Sequence, residues 1–446
     1  MARTRSSKLS HSILGLVIWI SFTSLLNADI SSNSTLPSPS PPLVGKELQV
    51  ARTNCTKQRL TQTLWNKLDL DDYMKKFEGG KTLSLVAYAD QVNMTNFVCG
   101  IGAPCDAGQL CSSAMPPDWY ILVGTQNWNQ LMNDLYTSLA YGFGTVQDIA
   151  PSMITDLVPE RTNLPVESAT WLGMVAAVSG TFPAIMFPGV GLWVWVWLQG
   201  ILYTTASEIW FYQNVIRAPP DVVSGYTKWT NFAWMLANMQ DKAQEKISNY
   251  TQNVLKAGIS QEDGMFGVLK GGKFLERPLK RPQFEIQTSF ENIVRLKLLA
   301  AILRSQNVYI TRGSDPCTYS GPAGAFNKSG VLSYCGKDHV MMNIVQAKGS
   351  HTKMKLFGAG LIESKYGFTT GFLTNAAWNC QVKYGRYGYD PYSNTTLPSD
   401  VNSDCLFNLP VCDCTSKEIS QKRAKGMRTT KACHEAGVPI YHNDSL

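Results

Sequence analysis

Histidine is scarce in this sequence, with 5 in 446 residues. The zinc-hydrolase pattern H-E-x-x-H and the serine-hydrolase elbow G-x-S-x-G are both missing. Those absences remove the motif-defined hydrolases. They leave an enzyme of unrecognised type open, because carboxylates alone serve many hydrolases. Charge is thin as well, at 16% of residues, and between residues 168 and 207 there is no Asp, Glu, Lys, Arg or His. So long a neutral run, dense in Trp, Leu, Ile, Val, Phe and Met, excludes a solvated loop. Each large apolar side chain left in water forfeits roughly 1.5–3 kcal/mol. The stretch is therefore sheltered by protein, by lipid, or by each at different times.

Proline and glycine divide the stretch. Phe187-Pro188-Gly189-Val190-Gly191 is a turn signal. Before it, 166–187 reads as a helix kinked at Pro183; after it, 192–216 reads as a second helix, ended by Arg217-Ala218-Pro219-Pro220. At 1.5 Å per residue each arm of this helical hairpin covers about 25–30 Å, close to the hydrocarbon thickness of a bilayer. Trp171 and Trp210 fall at the open end, and Trp193, Trp195 and Trp197 near the turn, where interfacial aromatic belts sit. The same pattern also describes the centre of a large soluble helical domain. Alternation over 192–198 describes a strand with three tryptophans on one face. A soluble core, a permanent span and conditional insertion all remain open.

The compartment is easier to read. Arg3, Arg5 and Lys8 precede an apolar run from Ile13 to Leu26, with Ala28 as the cleavage position: a secretory signal peptide over 1–28. Seven N-x-S/T sequons follow, at Asn33, Asn54, Asn93, Asn249, Asn327, Asn394 and Asn443. The 11 cysteines suit an oxidising compartment. They are Cys55, Cys99, Cys105, Cys111, Cys317, Cys335, Cys380, Cys405, Cys412, Cys414 and Cys433. Four precede the hairpin and seven follow it, so five bridges and one spare thiol is the simplest count. The net charge of +7 owes much to 417–431 (KEISQKRAKGMRTTK), read as a solvated basic tail or a contact for acidic lipid or glycan surfaces. No aromatics interleave with those charges, and secretion excludes nucleic acid as partner.

Along the chain, 29–46 is a Ser/Pro linker. Asp69 or Asp71 is placed to cap a short helix through Phe77. The loop Cys99 to Cys111 has spacings of six and six around Gly and Pro, a tight disulfide-held loop or a protruding binding loop. A helix starts at Pro116-Pro117-Asp118 with Trp128, Leu131, Leu135 and Leu139 as its stripe, and Tyr141-Gly-Phe-Gly is expected to lead out of it. Val222, Tyr226, Trp229, Ala233, Leu236, Gln240, Ala243, Ile247, Tyr250 and Val254 form a heptad seam with one polar position, suited to packing along the hairpin or a partner helix. Gly267 to Lys273 nearly matches a phosphate-binding loop, but Phe274 stands where a hydroxyl would hold magnesium, and a Gly271-Gly272 turn between two short strands is the expectation. Thr288-Ser-Phe-Glu291 is a capping box for a further helix, and 308–311 a strand.

Two polar groupings carry residue types suited to chemistry. Asp338-His339 beside Cys335 resembles a nucleophilic set, but chain neighbours rarely point together. Cys412, Cys414, Cys433 and His434 offer zinc donors, but with a spacing of no common site and in a disulfide-favouring compartment. No catalytic, cofactor or metal residue is assigned. Tyr384, Tyr387, Tyr389 and Tyr392, with glycines between, form a thin core or a glycan-contacting loop.

The GIGAPCDAGQLC loop, the uncharged Trp-rich centre and VYITRGSDPC at 308–317 together resemble a group of secreted fungal cysteine-rich proteins of uncharacterised function. The resemblance implies secretion and transfers no site residue.

The expected fold is mainly α: a helical body over 47–310 around the hydrophobic hairpin, a cysteine-rich α+β or irregular segment over 311–435, and a tail over 436–446. The expected function is that of a secreted, disulfide-bonded glycoprotein, non-enzymatic, meeting a lipid membrane or an extracellular glycan surface through the hairpin. The alternatives are a soluble extracellular binding or structural protein with the hairpin as core, and an unrecognised secreted enzyme.

Overall fold

The computed structural model describes residues 55–159, 181–187, 196–202, 205–206, 225–389, 391, 398 and 400–440, without the side chains of 225–233. The signal peptide, the linker, Asn33, Asn54, Asn394, Asn443, Trp171, Trp193, Trp195, Trp210 and Tyr392 lie outside the described residues.

Three short helices open the described chain. α1 (Gln62–Lys67) is capped by the Thr61 hydroxyl, which accepts from Leu64 N–H at 3.2 Å. α2 (Leu70–Lys75) begins after Asp69, which fills the N-cap position at φ 50° without a side-chain cap bond. The expected carboxylate cap therefore does not form. α3 (Leu85–Gln91) is capped by Ser84. The loop from Cys99 to Cys111 is then closed by the bridges Cys55–Cys111 and Cys99–Cys105.

α4 (Asp118–Leu157) has 40 residues, about 60 Å of rod. Its stripe Trp128, Leu131, Leu135 and Leu139 is fully buried. Contrary to expectation it continues through Tyr141-Gly-Phe-Gly and past Pro151, because Phe143, Val146, Ala150 and Met153 extend the same buried stripe for about four more turns. Tertiary burial outweighs the local cost of two glycines and a proline.

The seam helix is α5 (Gly225–Lys256), packed along α4. Leu236, Ala243, Ile247 and Val254 are buried, and Gln244 Nε2 donates to the Tyr136 carbonyl at 3.1 Å. The part of the seam from Leu236 onward thus closes within the chain, while Val222 and the side chains of Tyr226, Trp229 and Ala233 lie outside the described residues. α6 (Met265–Leu269) runs into a 3-10 turn, Lys270–Gly272, where two strands were expected. α7 (Gln283–Ser305) starts directly after Pro282, five residues before Thr288, so the expected capping box lies inside the helix. Glu291 instead bonds Gln287 and Arg295.

A five-stranded sheet follows: β1 (Val308–Arg312), β2 (Leu332–Cys335), β3 (Met341–Lys348), β4 (His351–Lys353) and, after α8 (Ala359–Ser364) and α9 (Thr370–Tyr384), β5 (Val411–Asp413). Its order is β2-β3-β1-β5, with β4 paired to β3; only β1 and β5 run parallel. Strand alternation serves two layers. Val308, Ile310, Met342, Ile344 and Val411 join the main core with α7 and α9. Tyr309, Val345, Ala347 and Cys412 face α10 (Lys417–Ala424) and α11 (Thr429–Glu435). The basic run 417–431 is therefore no solvated tail: Ile419 and Thr430 are buried, and beyond it Val438 and Ile440 close the second layer. Cys317–Cys335, Cys380–Cys405 and Cys412–Cys433 staple this region, and Cys414 is the spare thiol.

Candidate functional site

The expected hairpin is described only at 181–187, 196–202 and 205–206, its turn over 188–195 lying outside the described residues; 181–186, 196–202 and 205–206 are helical, which replaces the strand alternative over 196–198. They lie inside the molecule. Phe182 packs between Tyr141 of α4, tilted at a ring-centroid distance of 4.4 Å, and Phe290 of α7, edge-on at 4.9 Å. Leu198, Leu202 and Thr205 are buried, and Thr205 returns its hydroxyl to the Ile201 carbonyl at 2.7 Å. Trp197 is half-buried with its ring 4.9 Å from Tyr250 of α5. Gln199 is also buried, yet among the described residues its amide oxygen and nitrogen both lack a hydrogen-bond partner. Leaving such a group unpaired costs about 1–3 kcal/mol. No described helix is long and apolar enough to cross a membrane.

The Cys99–Cys105 loop does not protrude. It lies on a polar face of α4 that sequence reading passed over for the apolar stripe beside it. Gln126 Oε1 accepts from Ala107 N–H at 2.8 Å, Asn129 Nδ2 donates to the Ala103 carbonyl at 3.0 Å, and Asn133 both accepts from Gly102 N–H at 2.7 Å and donates to the Gly100 carbonyl at 2.9 Å. The spacing of three and four among those residues was the available signal.

The near-match to a phosphate loop has its anion supplied from within. Gly271 N–H donates to both Asp71 carboxylate oxygens at 3.0 Å, and Trp65 Nε1 donates to Asp71 at 2.8 Å. The proposed nucleophilic set is dismantled. Cys335 is bridged, Asp338 pairs with Arg312 at 2.6 Å, and His339 is exposed at φ 55°. Burial pushes the Asp338 carboxyl up, but the Val340 N–H and the Arg312 guanidinium outweigh it and hold the group below its usual range.

At the zinc-like cluster, the sulfurs of Cys412, Cys414 and Cys433 lie within 4.8 Å of one another. Two of them are joined as a disulfide, and His434 Nδ1 is engaged by the Ile440 carbonyl at 2.9 Å. One thiol remains. Burial, partly opposed by the Arg423 guanidinium, pushes Cys414 up to about 11 and keeps it protonated at neutral pH.

In the tyrosine loop, Tyr384 and Tyr389 pack at 4.3 Å, with Arg386 over Tyr389, while Tyr387 is exposed. The described sequons Asn93, Asn249 and Asn327 are all exposed.

Residues 217–440 match the family described as a domain of unknown function (DUF7872). The chain belongs to that family. Comparison with curated proteins and with solved structures returns no match. The DUF7872 region takes in α5, α7, the whole sheet and three of the bridges; α4, the hairpin and the two remaining bridges precede it. Its description assigns no activity, so function rests on the geometry of this chain.

Proposed function

We propose that this DUF7872 protein is a secreted, non-enzymatic, disulfide-bonded glycoprotein that works at a membrane surface, with the hairpin as its lipid-competent element. The observation that carries the reading is the uncharged stretch 168–207, each arm of which matches a bilayer's hydrocarbon thickness. Its described parts are packed with α4, α5 and α7, and the unpaired Gln199 amide weakens that packing. The hairpin is then stored in the fold and released to lipid. Exposed Asn93, Asn249 and Asn327 and five bridges support an extracellular setting.

The test is partitioning of the detergent-free mature chain onto liposomes at neutral and acidic pH, with dye leakage and tryptophan quenching by brominated lipid as readouts. Absence of binding and leakage under every condition defeats the reading. A second reading is a soluble extracellular binding protein whose hairpin is simply core, and the full burial of Phe182, Leu202 and Thr205 favours it. Under that reading the hairpin amides stay protected from exchange in the presence of liposomes.

A further inference from the structure

We infer that the strap over residues 277–284 (RPLKRPQF) is a docking surface for an anionic phospholipid bilayer. The inference rests on the membrane-surface reading above and gives it a lipid class and a point of first contact. Phe284 and Leu279 are the two most exposed large apolar side chains among the described residues, at 77% and 65%. Neither is core, and each sits beside exposed basic groups: Arg277, Lys280 and Arg281. Lys280 is held by Asp134 at 2.7 Å. The Arg277 and Arg281 guanidinium groups make no hydrogen bond or ion pair among the described residues, and the strap itself contains no acid, Glu276 and Glu285 lying just outside its ends.

Apolar side chains set between cationic ones are the chemistry of an interfacial anchor: the rings and aliphatic groups enter the headgroup–acyl boundary while guanidinium groups meet phosphate. Pro278 and Pro282 fix the backbone, so little conformational entropy is lost on docking. At its other end the strap is anchored, because Phe284 stands in the first turn of α7, whose Ile286 and Phe290 are buried.

Position supplies the link to the hairpin. Arg281 N–H donates to the Met186 carbonyl at 2.8 Å, two residues before Pro188, where the sequence sets the hairpin turn. A bilayer held by the strap therefore lies against the end of the first hairpin arm. A protein partner or a second copy of the chain has no comparable mark on this surface, since the free groups are both cationic and the apolar groups point outward singly.

The experiment is co-sedimentation of the mature chain with vesicles of phosphatidylcholine alone and of phosphatidylcholine mixed with phosphatidylserine. It compares the unaltered protein with R277Q/R281Q and L279S/F284S. All four side chains are exposed, so thermal midpoints should match and report intact folding. The expected result is binding to the mixed vesicles well above binding to phosphatidylcholine. That binding should fall about fivefold for each arginine removed and about tenfold or more for the apolar pair, with raised salt reproducing the arginine effect. Equal binding to the two vesicle types, or variants that bind the mixed vesicles like the unaltered protein, overturns the inference and leaves the membrane-surface reading standing. A change of oligomeric state in the variants with vesicle binding intact also overturns it, by assigning the strap to self-contact. Failure of the unaltered protein to bind either vesicle at both neutral and acidic pH overturns both.

Discussion

The tightest constraints in the molecule fall on single residues. Gly271 and Gly272 both hold positive φ, near 70°, but their surroundings differ. A Cβ on Gly272 would meet Trp65 at 2.6 Å, whereas one on Gly271 would meet open space. Gly272→Ala is expected to destabilise the protein by about 2–4 kcal/mol and Gly271→Ala by about 1 kcal/mol, read from urea midpoints. Cys414 offers a second check. With its pKa near 11, about one thiol in a thousand is ionised at pH 8, so iodoacetamide should leave the native protein unmodified and label one site after unfolding in denaturant without reductant. The count of one spare thiol was legible from eleven cysteines and their split around the hairpin. Which cysteine it is was not, because Cys412 and Cys414 are two residues apart and only the docking of α11 on the sheet brings Cys433 to one of them.

At the scale of elements, the uncharged stretch is fastened by aromatic contacts to α4 before it in sequence and to α5 and α7 after it. Phe182→Ala removes a fully buried ring from between Tyr141 and Phe290 and should cost about 3–5 kcal/mol, measured by chemical denaturation. Long periodic helices were the legible elements: the α4 stripe, and the α5 seam from Leu236 onward, stand where their spacing put them. Boundaries and turns were less so. α4 outruns its glycines because burial continues beyond them. α7 begins at the Pro282 stop and not at Thr288, because a helix-compatible turn was already available upstream. The Gly271-Gly272 turn joins helical pieces and not strands, since its amide points at Asp71, 200 residues away in sequence, a contact no local pattern encodes.

For the whole molecule, acid is the informative perturbation. Hydrogen bonds from Lys365 and Tyr366 hold the Asp156 carboxyl below its usual range, and Asp338 is also held low. With folded values depressed below the unfolded value of about 3.9, each group contributes stability that is present above that pH and lost as pH falls through the folded value. Urea midpoints should therefore decline from pH 4 toward pH 2, and D156N should decline less steeply over that window. The mainly helical body and the mixed cysteine-rich end were readable from composition. The way two cores share one sheet was not, because it depends on β5 pairing parallel to β1 across about a hundred residues of intervening chain. The same separation governs biosynthesis. Phe182 emerges from the ribosome long before Phe290, so at about 5–20 residues per second the hairpin spends on the order of ten seconds without the helix that will cover it. Until α7 is made, a nascent chain holds Phe182 only on its Tyr141 side.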